Sequence, residues 1–203
     1  MQELFTQLAA AWASTHPVEA VAAVLGFVYV VLAIRQHPGC WLAAFVSTAL
    51  YAWVFWQAGL RMQAGLQVYY VGMAVYGWFA WRAGDRGAAL AVSRGTWRLH
   101  ALGLGGVLAA TAATVAWLGA TSVQPVLDAF TTWASVFATW LVARKILENW
   151  AWWFAIDALI AVLCWRQGLY PTALLYAAYL VLVVVGWRAW HRDWSRSATG
   201  RGP

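Results

Sequence analysis

Displaced by 109 residues against itself without a gap, the sequence superposes Arg35 on Arg144, Trp41 on Trp150, Trp56 on Trp165 and Gly59-Leu60 on Gly168-Leu169. Gly77-Trp78 and Trp81 fall on Gly186-Trp187 and Trp190, and 17 of the 48 positions from 35 to 82 are identical. A gapless register of this length means that one structural unit occurs twice in tandem. The duplicated unit is hydrophobic along its whole length, a combination more typical of membrane carriers than of soluble enzymes.

A chain of 203 residues that is 64% hydrophobic and 10% charged, with a mean hydropathy of +0.64, has too little polar surface to coat a water-soluble globule. Its solvent is the lipid bilayer, and its length is best divided by the roughly 20 residues that a helix needs to cross about 30 Å of hydrocarbon. Seven spans are expected, at 18–34, 41–57, 62–81, 99–118, 126–143, 149–165 and 170–188. Short turns carrying Gly, Pro or charge join most of them, and 82–98 is the one long polar connection. The displacement maps spans one to three onto five to seven and leaves span four unmatched. A three-helix unit followed by one inverting helix restarts on its original side, so the repeats are parallel.

The expected fold class is all-α and integral to the membrane, with two three-helix repeats joined by a linker helix. Its parts are an N-terminal tail or surface helix at 1–17, a first repeat at 18–81, a cytoplasmic loop at 82–98, the linker at 99–118, a second repeat at 126–190 and a cytoplasmic tail at 191–203. The tail from Ser195 is small, polar and basic, and is expected to be disordered. In the linker, Gly103, Gly105, Gly106, Ala109 and Ala110 suit close helix packing.

Of the 13 Lys and Arg, eleven fall on one side of these spans; only Arg61 and Arg166 fall on the other. The split predicts a cytoplasmic C-terminus and an external N-terminus. It also accounts for the net charge of +6 by topology and anionic lipid rather than by nucleic acid. Cys40 and Cys164 fall at opposite ends of their spans, too far apart for a disulfide. No His, Cys or carboxylate grouping has metal-ligand spacing, and no cofactor motif is present.

The informative residues are polar groups inside the spans. Asp157 lies about 12 Å into span six at 1.5 Å per residue, close to the bilayer midplane, where an ionisable group is a functional candidate. Asn149, Trp153 and Asp157 share one helical face, with Trp150 at its margin. Asn149 also suits a helix cap, and Glu148 has Arg144 four residues before it as an ion-pair partner. Span three offers Gln67 and Tyr70; the repeat places Tyr176 and Tyr179 at the same positions of span seven. Thr48 and Tyr51 of span two reach the same depth. Glu19 and Asp128 are repeat-mates at the outer ends of spans one and five, as gating carboxylates or as first-turn residues favoured by the helix dipole. The implied site is a midplane pocket of indole and phenol rings with few amides and one carboxylate. Such walls suit a flat, polar aromatic ligand, above all a monocation.

The run Arg144-Lys145-Ile146-Leu147-Glu148-Asn149-Trp150-Ala151-Trp152-Trp153, followed by Gln167-Gly168-Leu169-Tyr170, closely resembles the PnuC family of bacterial nicotinamide riboside transporters. So do Gln67 through Trp81 and the Val18-Glu19-Ala20 opening, giving a resemblance over about residues 18 to 192. It implies a fold similar to full-length SWEET transporters in a bacterial inner membrane, with no enzymatic activity and no cofactor. It further implies facilitated diffusion of a vitamin precursor, made one-way by intracellular phosphorylation. The ligand implied is nicotinamide riboside, with its pyridinium ring near Trp153 and Trp150, its ribose near Gln67, Tyr176 and Asn149, and Asp157 opposite the charge. Thiamine and riboflavin are the alternative cargoes, and a homo-oligomer, a trimer, is compatible with the family.

Overall fold

The computed structural model describes residues 17–59, 61–83, 90–119, 121–168 and 170–199. Within them lie α1 (Pro17–Ile34), α2 (Cys40–Gln57), α3 (Arg61–Ala83), α4 (Trp97–Leu118), α5 (Val123–Ala143), α6 (Asn149–Arg166) and α7 (Tyr170–Thr199). The helices α1, α2, α4 and α5, together with Thr172–Ser197 of α7, are long and apolar enough to cross a membrane. The other two, α3 and α6, are diluted by Gln63, Gln67, Asn149 and Asp157. These are the helices on which the sequence concentrates its candidate ligand contacts.

Neighbouring helices pack as α1 on α2 on α3 and as α5 on α6 on α7, while α3 meets α5 and α7 meets α1. The ring is closed by bonds that obey the 109-residue displacement. Trp81 of α3 donates its indole N–H to the Val142 carbonyl of α5 at 3.3 Å, and Trp190 of α7 donates to the Ala33 carbonyl of α1 at 3.0 Å. Donors and acceptors are both repeat-mates. Trp41 meets Trp81 edge-on at 5.4 Å and 85°, and Trp150 meets Trp190 at 5.4 Å and 89°. Trp81 and Trp190 touch at 6.0 Å, joining the two pairs into one aromatic cluster.

The backbone repeats as faithfully. Gln36 and Lys145 turn out of α1 and α5 with φ of 55° and 49°, and Gly59 and Gly168 end α2 and α6 with φ of 76° and 75°. The Lys145 ammonium donates to the Gln36 Oε1 at 3.3 Å, joining two residues that the displacement superposes. It also lies 4.5 Å over the Trp81 ring, and burial pushes its pKa below the usual lysine range.

The linker α4 packs on α5. A Cβ at Gly103 would come within 2.2 Å of the Phe137 ring, so this glycine does permit close approach. Gly105 and Gly106 face open space, and close packing is not their role.

Two expectations about the basic end are corrected. The last helix does not stop near 188 with a disordered tail after Ser195; α7 is described to Thr199. Its extension is held by a 2.6 Å bond from Gln36 to Asp193 and by Arg94 over the Trp194 ring at 5.2 Å. Secondly, Glu148 pairs not with Arg144 but with Arg94 at 2.9 Å, and accepts the Gly95 N–H at 2.8 Å. The described part of the predicted loop 82–98 between the helices, 90–96, has no helix or strand, and its backbone is pinned to the neighbouring turn. Ser93 N–H donates to the Lys145 carbonyl at 3.0 Å, and Leu147 N–H donates to the Ser93 carbonyl at 2.8 Å. The segment is thus a strap across the α5–α6 turn. Positions 1–16, 84–89 and 200–203, which cover the predicted N-terminal tail and parts of that loop and of the C-terminal tail, lie outside the described residues.

Burial opposes ionisation of Glu148, but the Gly95 N–H and the Arg94 guanidinium outweigh it and hold the carboxyl below the usual glutamate range. A depressed folded-state pKa contributes stability above the unfolded value, and that stability is lost as pH falls through the folded value. Thermal melting of the detergent-purified protein is therefore expected to show a fall in midpoint on acidification below about pH 4.5, the ordinary glutamate range, that is reduced in Glu148→Gln. Equal acid sensitivity in both proteins would remove the strap from this account.

Candidate functional site

One cavity of about 600 Å³ runs between the two helix triplets, within the 300–1,000 Å³ range of small-molecule sites. Every helix but α4 contributes to its wall. At the basic end its floor is Ala33, Trp41, Val142, Trp150 and Val183, all buried. At the opposite end Gln63, Gln124, Asp128 and Gln167 are exposed around its mouth. The cavity is closed by the aromatic cluster on one side and open on the other.

The midsection is aromatic and polar. Tyr51 and Thr48 come from α2, Gln67 and Tyr70 from α3, Trp153 and Asp157 from α6, and Tyr176 and Tyr179 from α7. Tyr51 stacks on Phe55 at 5.6 Å, and Tyr176 meets Tyr179 edge-on at 5.9 Å. Asp157 is 6% exposed. Among the described residues lining the cavity there is no Lys, Arg or His; the ionisable charges are Asp157 and Asp128.

The hydroxyls sharpen this electrostatic bias. Thr48 donates to the Ala44 carbonyl at 2.8 Å, Thr131 to Leu127 at 2.9 Å and Thr139 to Ser135 at 2.8 Å. With their hydrogens committed to the backbone, these side chains turn acceptor lone pairs to the cavity. The wall is rich in acceptors and π-faces, and matches a ligand that brings positive charge and donor hydroxyls.

Of the ten residues expected to contact ligand, Trp153, Asp157, Trp150, Gln67, Tyr176, Tyr179, Tyr70, Thr48 and Tyr51 all line this cavity. Asn149 does not. It is fully buried in the α5–α6 turn and donates its amide to the Ile146 carbonyl at 2.7 Å. Glu19 is exposed and outside the lining, whereas its repeat-mate Asp128 stands at the mouth. The two carboxylates are equivalent in the backbone and different in surroundings.

Sequence reasoning missed Trp41 and the polar face of α5. Trp41 is the repeat-mate of Trp150, so symmetry alone nominates it. Among the described residues, both floor tryptophans have buried indole N–H groups without a hydrogen-bond partner. Thr131, Ser135 and Thr139 recur at i, i+4 and i+8, a helical-face signal as clear as that of α6.

Membrane-length helices ringed about one aromatic-walled cavity, sealed at one end and open at the other, define a multi-pass membrane carrier. The sequence matches the nicotinamide mononucleotide transporter family over residues 16–192, and the chain belongs to that family. Its fold is similar to that in the crystal structure of the vitamin B3 transporter PnuC, with a TM-score of 0.69 at 24% identity over 96% of this chain and 87% of that one. The PnuC resemblance carried by the motifs is borne out, and the chain is a transmembrane protein of nicotinamide-related transport.

Proposed function

We propose that this protein carries nicotinamide riboside across a bacterial inner membrane by facilitated diffusion. The observation that carries this reading is the cavity's charge. A phosphate monoester would enter a wall that offers two carboxylates and, among the described residues, no cationic side chain. The dephosphorylated nucleoside, a pyridinium joined to ribose, meets π-faces, acceptors and a counter-charge. Its ring lies against Trp153 and Trp150, its ribose hydroxyls reach Gln67 and Tyr176, and Asp157 faces the positive charge.

The two triplets form parallel repeats in a SWEET-like 3+1+3 order and rock about the axis marked by the Lys145–Gln36 bond. With the basic end in the cytoplasm, as the charge split favours, the present state faces outward. Passage inward requires the reciprocal bonds Trp81–Val142 and Trp190–Ala33 to separate while the mouth closes. Intracellular phosphorylation then adds charge that the cavity does not accommodate, and the cargo is trapped.

Uptake of radiolabelled nicotinamide riboside into kinase-free proteoliposomes, with equal pH and no voltage, is expected to stop at equal concentrations. Accumulation beyond that level would overturn facilitated diffusion. Quenching of tryptophan emission is expected at the lowest concentration with nicotinamide riboside; a lower requirement for thiamine or riboflavin would reassign the cargo.

A further inference from the structure

The space beside Gly106 of α4 belongs to a second cavity, on the outer surface of the ring. The linker α4 packs on α5 but not on α3, so a groove of about 360 Å³ is left between α3 and α4 with α5 as its floor. Tyr69 of α3, Gly103 and Gly106 of α4, and Trp133, Val136 and Trp140 of α5 line it, and none of its described lining residues is charged. Gly106 and Trp133 are exposed, so the groove opens to the bilayer. Tyr69 donates its hydroxyl to the Val136 carbonyl at 3.0 Å, which fixes the floor at the seam where the two triplets meet.

The groove has a cationic head. Trp133, Val136, Trp140 and Arg144 recur at i, i+3, i+7 and i+11, one face of α5 carried on past its last turn. Tyr69 and Tyr76 share a face of α3, and the Arg144 guanidinium donates to the Tyr76 hydroxyl at 3.5 Å. Arg144 is exposed and makes no ion pair among the described residues. From Trp133 to Arg144 the rise is about 16 Å at 1.5 Å per residue, half of a hydrocarbon core about 30 Å thick. The groove is therefore one leaflet deep, apolar along its length and basic at headgroup level. The opposite seam, between α7 and α1, keeps an arginine at Arg35 but has Ala178, Val185, Val24 and Val31 where this one has Tyr69, Tyr76, Trp133 and Trp140. Among the described residues, no helix stands there in the place of α4.

We infer that this groove binds an anionic phospholipid from the leaflet at the basic end. One acyl chain lies along Trp133, Val136 and Trp140, and the phosphate is held by Arg144 and the Tyr76 hydroxyl. A guanidinium presents paired N–H donors that match phosphate oxygens, and the phenol O–H adds another. A basic head between helices is the form in which membrane proteins recognise anionic lipid. Gly106 leaves the chain its room, because no protein atom lies within 4 Å of a Cβ built there. A second copy of this chain would cover Arg144 and have to bring an anion to it, whereas the lipid carries its own. The bound lipid touches α3 of one triplet and α5 of the other, so its presence is read as stability of the assembled ring. The site is independent of the cargo.

The test is thermal melting of the full chain in neutral detergent, titrated with phosphatidylglycerol or with phosphatidylcholine of the same chains. Phosphatidylglycerol is expected to raise the midpoint at a concentration about tenfold lower, since only its headgroup carries net negative charge. Arg144→Gln is expected to raise the phosphatidylglycerol requirement about tenfold, the loss of a charge-assisted bond, while Arg35→Gln at the opposite seam leaves it unchanged. Gly106→Leu fills the groove from a position with open space beside it, and is expected to keep the lipid-free midpoint and lose the response to phosphatidylglycerol. Equal responses to the two lipids, equal losses in Arg144→Gln and Arg35→Gln, or a full response in Gly106→Leu would each overturn the site. Inorganic phosphate matching the effect of the lipid would reduce it to an anion site without a chain. A change in subunit number in Gly106→Leu, weighed by native mass spectrometry, would make the groove an interface between copies instead.

Discussion

Asp157→Asn is expected to weaken nicotinamide riboside binding at neutral pH by about tenfold to a hundredfold, the equivalent of roughly 1.5–3 kcal/mol for an interaction with a charged group. The substitution keeps the shape of the side chain and supplies an amide, so the helix packing around Ile156 and Ile160 is undisturbed. What it removes is the one buried negative charge in the cavity's midsection. Trp153→Ala is expected to lose binding as well, through the aromatic face rather than the charge. Titration with the labelled ligand, alongside a melting curve to show that each variant is folded, checks both. Unchanged affinity in two folded variants would mean that the ligand sits elsewhere.

The second large effect belongs to stability. A Cβ on Gly186 would lie 2.5–2.6 Å from three atoms of the Trp150 benzene ring, and one on Gly77 would lie 2.2–2.4 Å from three atoms of the Trp41 ring. Neither ring has room to withdraw, for each is packed edge-on against another tryptophan. Gly186→Ala is therefore expected to destabilise the fold by about 1–3 kcal/mol, the usual range for overpacking, read as a lower melting midpoint in detergent. Shortening the ring in Gly186→Ala/Trp150→Phe is expected to recover part of that loss, because the atoms that clash belong to the part of the indole that phenylalanine lacks. A double mutant no more stable than Gly186→Ala would place the strain elsewhere.

The same pair of glycines shows how much the sequence discloses and where it stops. Gly77-Trp78 and Gly186-Trp187 were prominent in the repeat, yet nothing in their spacing says that each glycine receives a tryptophan from the helix before. Asp157, Trp153 and Tyr179 were legible because polarity inside a lipid-length helix is rare and its spacing selects one face. Asn149 was misplaced because a face on one helix does not say what the preceding turn covers. Glu148 was given the wrong partner because Arg144 is close in sequence, while Arg94 is brought in by a strap whose bonds are made by backbone groups. Those groups carry no side-chain signature. The extension of α7 was missed for a related reason: its polar composition resembles a tail, and Gln36 and Arg94, which hold it, come from elsewhere in the chain.

Composition and the 109-residue displacement determined a duplicated, lipid-soluble helical unit and singled out Asp157 as a polar residue within one of its helices. Hydrophobicity, helical rise and repetition are local properties that survive in one dimension. The tertiary structure decided that the halves are joined by Trp81 to Val142 and Trp190 to Ala33, that the cavity is shut at the basic end, and that Asp128 faces the cavity while Glu19 does not. Those outcomes depend on which surfaces of distant helices meet, and side-chain packing between them is a property of the assembled ring alone.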